Sequence, residues 1–267
     1  MARIAIIGTG LVGRAWAISY ARAGHEVALW DELPQAPEQA LAFIRAAAPE
    51  LAAHDLLGGA TPQALLARIR IERELGAALA GAAHVQESAP EQVKVKRELF
   101  TRLDQLAPTE AVLASSTSAI LPSLFTEHLA FRHRCLVVHP INPPYLVPAA
   151  EVVPAPWTAR EVVERTRDFL LAAGHAPIVM KRELTGFVMN RMQGALLEEA
   201  FRLVADGYAS AEDVDIGIRE GLALRWSFMG PFETVDLNAP GGVIPTHFLP
   251  AFFAAAGFTA AGATGFL

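Results

Sequence analysis

The segment Gly8-Thr9-Gly10-Leu11-Val12-Gly13 constrains this chain more than any other. It follows a short apolar run, Arg3-Ile4-Ala5-Ile6-Ile7, and opens an apolar-periodic stretch from Leu11 to Arg22. That order predicts strand, turn, helix. Gly24 closes the helix, and Glu26-Val27-Ala28-Leu29-Trp30 reads as a second strand ending at Asp31. The unit is βαβ, and its parallel strands call for a sheet covered by helices. G-x-G-x-x-G alone is a weak signal. Between a strand and a helix, with an acid closing the next strand, it becomes a dinucleotide-binding fingerprint. Gly8 permits the tight turn, Gly10 lets backbone approach a pyrophosphate, and Gly13 lets helix and strand pack closely. Leu11 and Val12 then present the positive end of the helix dipole to the phosphates. Asp31 is placed to accept hydrogen bonds from the adenosine ribose. Glu32 beside it disfavours a 2′-phosphate, so NAD is expected rather than NADP.

Beyond this unit the pattern continues to alternate. Leu33 to Leu79 reads as helices, Ala83–Gln86 as a strand and Val93–Leu106 as a helix. Strands follow at Val112–Ser115, at Cys135–Val138 and around Glu151-Val152-Val153; Thr158–Ala173 is helical and Ile178–Met180 a final strand. From Thr185 onward the periodicity is helical only, notably over 187–205 and 213–220. The expected fold is α/β: a Rossmann-type, doubly wound, mostly parallel sheet over residues 1–183, then a smaller all-α domain over 184–267. A chain of 267 residues has room for both.

A net charge of −6 and a pI near 5.8 argue against a nucleic-acid partner. One cysteine, Cys135, precludes an intramolecular disulfide and zinc-type spacing, so no metal and a reduced, cytoplasmic setting are expected. The segment from Gly241 to Leu267 carries no Lys, Arg, Asp or Glu. From Phe248 onward, Pro250 and three glycines make it a poor membrane span; a packed terminal helix or a diverged tail is expected instead.

His139-Pro140-Ile141-Asn142-Pro143-Pro144 lies at the carboxyl end of an apolar strand, where open α/β sheets bind ligands. Imidazole there can take the proton of an alcohol during its oxidation. Glu151 is the nearest downstream carboxylate, and the prolines could fold it back toward His139. Spacing leaves open whether the two meet. The other histidines read as surface or turn, without a role.

Together with the glycine turn, four stretches carry a resemblance: Ala114-Ser115-Ser116-Thr117-Ser118, His139 to Glu151, Gly186-Phe187-Val188-Met189-Asn190-Arg191 and Gly230-Pro231-Phe232-Glu233. The chain resembles the 3-hydroxyacyl-CoA dehydrogenase superfamily, and within it the lambda-crystallin / L-gulonate 3-dehydrogenase branch, from about residue 3 to about 240. The resemblance implies an NAD-dependent dehydrogenase. It implies His139 as catalytic base, Glu151 as its partner, Ser118 against substrate oxygen and cofactor, and Asn190 completing the site. It also implies Asn142 beside the nicotinamide and Glu91 and Lys96 as cofactor contacts. Read alone, Glu91 and Lys96 would be a solvated helix face. A homodimer formed by the α domain is implied as well, although the similarity fades after Pro240, where a shortened or diverged end is expected.

The approach to Gly230-Pro231-Phe232 departs from the acyl-CoA enzymes and carries Arg225-Trp226. A guanidinium binds a carboxylate bidentately, and a free acid has one where a thioester does not. Arg225 therefore points to a small L-3-hydroxy acid, L-gulonate-like, as substrate. The alternatives are a 3-hydroxyacyl-CoA thioester of fatty acid metabolism and a non-catalytic, crystallin-like NAD(H)-binding protein. A surface Arg225 beside a core Trp226 is the plain structural reading of the same residues.

Overall fold

The computed structural model describes residues 1–238, so the apolar tail expected after Gly241 lies outside the described residues. Eight strands form one sheet: β1 Arg3–Ile7, β2 Glu26–Trp30, β3 Ile69–Ile71, β4 His84–Glu87, β5 Val112–Ser115, β6 Cys135–Pro140, β7 Ala149–Pro154 and β8 Ala176–Val179. Their spatial order is β3-β2-β1-β4-β5-β6-β7-β8. Every neighbouring pair is parallel except β6 and β7, which run antiparallel. The chain winds outward from β1 to β3, then returns to place β4 on the other side of β1. That reversal opens a crevice beyond the carboxyl ends of β1 and β4, where ligands bind in such sheets.

The connecting helices are α1 Leu11–Arg22, α2 Ala36–Ala53, α3 Pro62–Ala67, α4 Leu75–Leu79, α5 Val93–Leu106, α6 Pro122–Thr126 and α7 Arg160–Ala172. They cover both faces of the sheet. Alternation along β1 sends Ile4 and Ile6 into one core with Trp16 and Tyr20 of α1, and Ala5 and Ile7 into the other with Phe100 of α5. Because both faces are buried, the strands read as continuous apolar runs. β3 was not visible in the sequence, which suggested only helices between 33 and 79. Three residues are too few for a period, and only pairing with β2 makes them a strand.

After α8 Met189–Ala205 come α9 Ala211–Ile216, α10 Ala223–Trp226 and α11 Pro231–Asn238. A first compact unit runs from Met1 to Met192, and a second begins at Gln193. Ser210 caps α9 through a reciprocal capping box with Asp213. Among the described residues, no helix is long and apolar enough to cross a membrane, and no cluster of side chains could hold a metal ion.

Two histidines expected at the surface are buried. His84 sits on β4, stacked on Phe169 with ring centroids 4.8 Å apart. His175 packs against Trp16, and its Nε2 lies 2.7 Å from Ser19 Oγ. Phe169 and Tyr20 cover His84, and Trp16 and Ser19 of α1 cover His175, which a single polar letter in the sequence does not reveal. Burial pushes both imidazoles down to about 4 from 6.5; the Gln86 hydrogen bond to His84 opposes this only in part. Between those limits the unfolded chain binds protons that the folded chain does not. Stability therefore rises with pH across this window and is lost as pH falls from about 6.5 to about 4. Thermal melts should show Tm declining over that range, and a His175→Gln variant should flatten the slope above pH 5.

Candidate active site

The antiparallel register of β6 and β7 pairs His139 directly with Glu151. Twelve residues of separation thus become a cross-strand neighbour pair, and the question the spacing left open is decided by the hairpin. His139 Nδ1 donates to Glu151 Oε2 at 2.5 Å. The other oxygen, Oε1, accepts from the amides of Val188 (2.7 Å) and Met189 (2.8 Å), at the start of α8. Gly186 (φ +80°) and Phe187 (φ +49°) turn the chain so that both amides face the carboxylate. Phe187 is fully buried, with its ring 5.7 Å from the imidazole.

Burial alone would raise the Glu151 carboxyl. The hydrogen bonds from His139, Met189 and Val188 together outweigh it and hold the group below the usual carboxylate range. Glu151 is therefore ionised at neutral pH. Because Nδ1 carries a proton toward it, Nε2 is the free lone pair of the ring. His139 lines a cavity of about 390 Å³ with Val12, Glu91, Lys96, Ser118, Asn142 and Asn190.

Ser118 follows β5. Its amide donates to Glu91 Oε1 at 3.0 Å, and its carbonyl accepts from Asn190 Nδ2 at 2.6 Å. That bond fixes the Asn190 amide and leaves one N–H and the Oδ1 for another partner. Glu91 also accepts from Thr117 Oγ1 (2.5 Å) and the Ala119 amide (3.3 Å). Burial would raise its carboxyl, but these bonds and the Lys96 ammonium outweigh that and hold it low.

Lys96 departs from the solvated face that its surroundings on α5 suggest. It is 1% exposed, and its Nζ donates to both oxygens of Glu87, at 2.9 and 3.1 Å. Ser115 Oγ and the Ala89 amide add to the Glu87 carboxylate, at 2.5 and 2.6 Å. Sequence reasoning missed Glu87. Its one visible signal is position, a carboxylate at the carboxyl end of a central parallel strand.

A second cavity, about 710 Å³, is lined by Gly8, Gly10, Asp31, Glu32 and Arg102. It shares Ser88 and Ala89 with the first, so the two meet there. The glycine turn fits a dinucleotide on steric grounds. Gly8 takes φ +91°, and a Cβ there would lie 2.7 Å from the Ser88 carbonyl carbon. A Cβ on Gly13 would lie 1.9 Å from the Gly8 carbonyl oxygen. In front of Gly10 nothing lies within 4 Å of the Cβ position, which leaves the open approach a pyrophosphate requires. Leu11 is exposed on the first turn of α1, whose leading amides have no intrahelical acceptor. Asp31 accepts from the Thr9 amide at 2.7 Å and the Leu33 amide at 3.0 Å, so it also braces the turn.

The family model for the 3-hydroxyacyl-CoA dehydrogenase NAD binding domain matches residues 3–183, and that for the C-terminal domain of the same enzymes matches 186–260. The chain belongs to the 3-hydroxyacyl-CoA dehydrogenase family. It carries an NAD-binding domain, and the family is one of NAD-dependent dehydrogenases. A lambda-crystallin homolog of Bos taurus is 42% identical over 239 residues, 89% of this chain and 74% of the relative. An L-carnitine dehydrogenase of Streptomyces griseus is 41% identical, covering 88% of this chain and 69% of the relative. Among solved structures, the NAD+ dependent 5-formyl-3-hydroxy-2-methylpyridine 4-carboxylic acid 5-dehydrogenase superposes with a TM-score of 0.80 at 34% identity, covering 90% of this chain and 77% of that one. The 3-hydroxybutyryl-CoA dehydrogenase of Escherichia coli gives 0.78 at 30% identity, with 88% and 49% covered.

Arg225 lies on α10 in the second unit. It is exposed and forms no ion pair with a described residue. Trp226 beside it is 38% exposed, so the core tryptophan of the plain reading is absent.

Proposed function

We propose that this chain oxidises the 3-hydroxyl of a small free L-3-hydroxy acid, L-gulonate-like, with NAD. The observation that carries the chemistry is the His139–Glu151 pair, in which Nδ1 is held by Glu151 and the ring lines a cavity with Ser118 and Asn190. Bound NAD supplies the hydride acceptor. His139 Nε2 takes the proton of the substrate hydroxyl, and Glu151 holds the ring and stabilises the positive charge that develops. Glu151 stays a carboxylate because His139 and the Met189 and Val188 amides all donate to it. The free N–H of Asn190 donates to the substrate oxygen as charge builds, joined by the Ser118 hydroxyl once it turns from Glu91 Oε1, 3.4 Å away.

Gly8, Gly10, Leu11, Val12 and Gly13 present backbone to the pyrophosphate, and Asp31 takes the adenosine ribose. Asn142, Ser118, Glu91 and Lys96 line the nicotinamide side of the same groove. Glu32 lines the same end and disfavours a 2′-phosphate, its charge offset in part by Arg102 at 3.0 Å. A homodimer built on the helical unit belongs to the same reading, favoured by the exposed Phe201, Phe228 and Phe232.

The free-acid assignment is supported by the relatives. L-carnitine is itself a free 3-hydroxy carboxylate, and several L-carnitine dehydrogenases are about as similar to this chain as the lambda-crystallins. Arg225 is the residue assigned to the carboxylate. Arg225→Ala should raise KM for free acids about tenfold or more while leaving kcat within threefold. A panel of L-gulonate, L-carnitine, 3-hydroxybutyrate and 3-hydroxybutyryl-CoA with NAD and NADP tests the whole reading. Robust turnover of the thioester with none of the free acids would overturn the substrate class. No turnover of any, with NADH still bound, would favour the crystallin-like alternative.

A further inference from the structure

The floor of the NAD groove ends a buried hydrogen-bond chain whose direction can be worked out. Gln86 lies on β4, fully buried. Its Nε2 lies 3.3 Å from the Val138 carbonyl, which can only accept, so the amide nitrogen faces that way. The opposite end agrees: Gln86 Oε1 accepts from Tyr20 OH at 3.2 Å and lies 3.0 Å from His84 Nε2. Gln86 Nε2 therefore donates its second hydrogen to Ser116 Oγ at 2.7 Å. Trp16 Nε1, a donor only, donates to the same oxygen at 3.1 Å.

A hydroxyl oxygen has two lone pairs. Both on Ser116 are taken, so the 2.9 Å contact between Ser116 Oγ and Ser88 Oγ can be made in one direction only. Ser116 donates and Ser88 accepts. The Ser88 proton is then directed away from Ser116, and no described residue accepts it. Ser88 is half-buried, sits where the two cavities meet, and has its backbone packed against Gly8.

We infer that Ser88 is a cofactor-binding residue, its hydroxyl held as a donor to an acceptor oxygen of NAD beyond the AMP moiety, on the nicotinamide-side phosphate or ribose. Trp16 and Gln86 are positioning residues that set its polarity from the core. This rests on the NAD-binding reading of the same groove and adds to it a contact that the glycine fingerprint does not contain. A serine here is chemically different from an alanine of similar size, because its proton has been committed outward before the cofactor arrives.

The test is direct binding, measured by NADH fluorescence, with ADP-ribose and AMP as competitors. Ser88→Ala should raise Kd for NADH and ADP-ribose about fivefold to tenfold and leave AMP within twofold. Trp16→Phe removes the N–H and frees a lone pair on Ser116, so Ser88 can donate inward. It should weaken NADH about twofold to threefold in the wild type and not at all in the Ser88→Ala background. A purely structural tryptophan would give the same effect in both. Unchanged NADH affinity in Ser88→Ala, equal weakening of AMP, or an additive Trp16 effect would each overturn the assignment. If Trp16→Phe fails to fold, Ser88→Ala with the three ligands decides alone. Failure of the wild type to bind NADH would remove the NAD reading itself, and is distinguished by that control.

Discussion

Substituting His139 by Ala is expected to lower kcat by about 10²–10⁴-fold, with NADH affinity within twofold of wild type. The informative partner is Glu151→Gln, which keeps the shape of the side chain. The amides of Val188 and Met189 demand an acceptor, so the amide oxygen must face them. The amide nitrogen is then turned toward His139 Nδ1 and can only donate. The ring answers by moving its proton to Nε2, which can no longer take one from substrate. Glu151→Gln should therefore cost about 10³-fold or more in kcat with little change in KM, as an orienting carboxylate predicts. Nitrogen NMR of the imidazole should show the Nδ1–H tautomer in the wild type and Nε2–H in the variant. Near wild-type kcat in Glu151→Gln would remove the dyad from the chemistry.

The second large effect separates two glycines that look alike in the motif. A Cβ at Gly13 would sit 1.9 Å from the Gly8 carbonyl oxygen and 2.9 Å from its carbon. Both atoms are backbone, so Gly13→Ala must push α1 off β1. Overpacking of this kind costs about 1–3 kcal/mol or more, and each kcal/mol lowers Tm by about 2–4 °C at this size. NADH binding should weaken at least a hundredfold, because the displaced helix no longer presents its amides. Gly10 has an ordinary φ of −64° and open space before it. Gly10→Ala should leave Tm within about 1 °C and still weaken NADH tenfold or more, because its methyl occupies the cofactor's approach. Calorimetry and NADH titration on the two variants check the split. Equal losses of Tm would show that both glycines serve packing alone.

Local chemistry accounts for what was legible in advance. The βαβ unit was readable because its signals lie within residues 3–31 and each has a local cause: apolar runs, a glycine turn and an acid at a strand end. The helix Val93–Leu106 matched to the residue, since a long amphipathic period is a strong signal. β3 was hidden because three residues have no period. His84 and His175 were read as surface because burial depends on what covers a strand, and the covering helices come from elsewhere in the chain.

The candidate site divides in the same way. By itself the sequence determined the doubly wound class, the glycine cradle and the presence of a histidine at the mouth of a strand, since all of these follow from neighbours along the chain. The tertiary structure alone decided which groups meet. Cross-strand register joined His139 to Glu151, and the turn through Phe187 brought two amides to that carboxylate. Packing buried Lys96 on Glu87 and aimed the chain from Trp16 and Gln86 at Ser88. The physical reason is common to all of them. A hydrogen bond is fixed by distances of a few ångström between residues that are, for Trp16 and Ser116, 100 positions apart, and those distances exist only once the sheet has set its register.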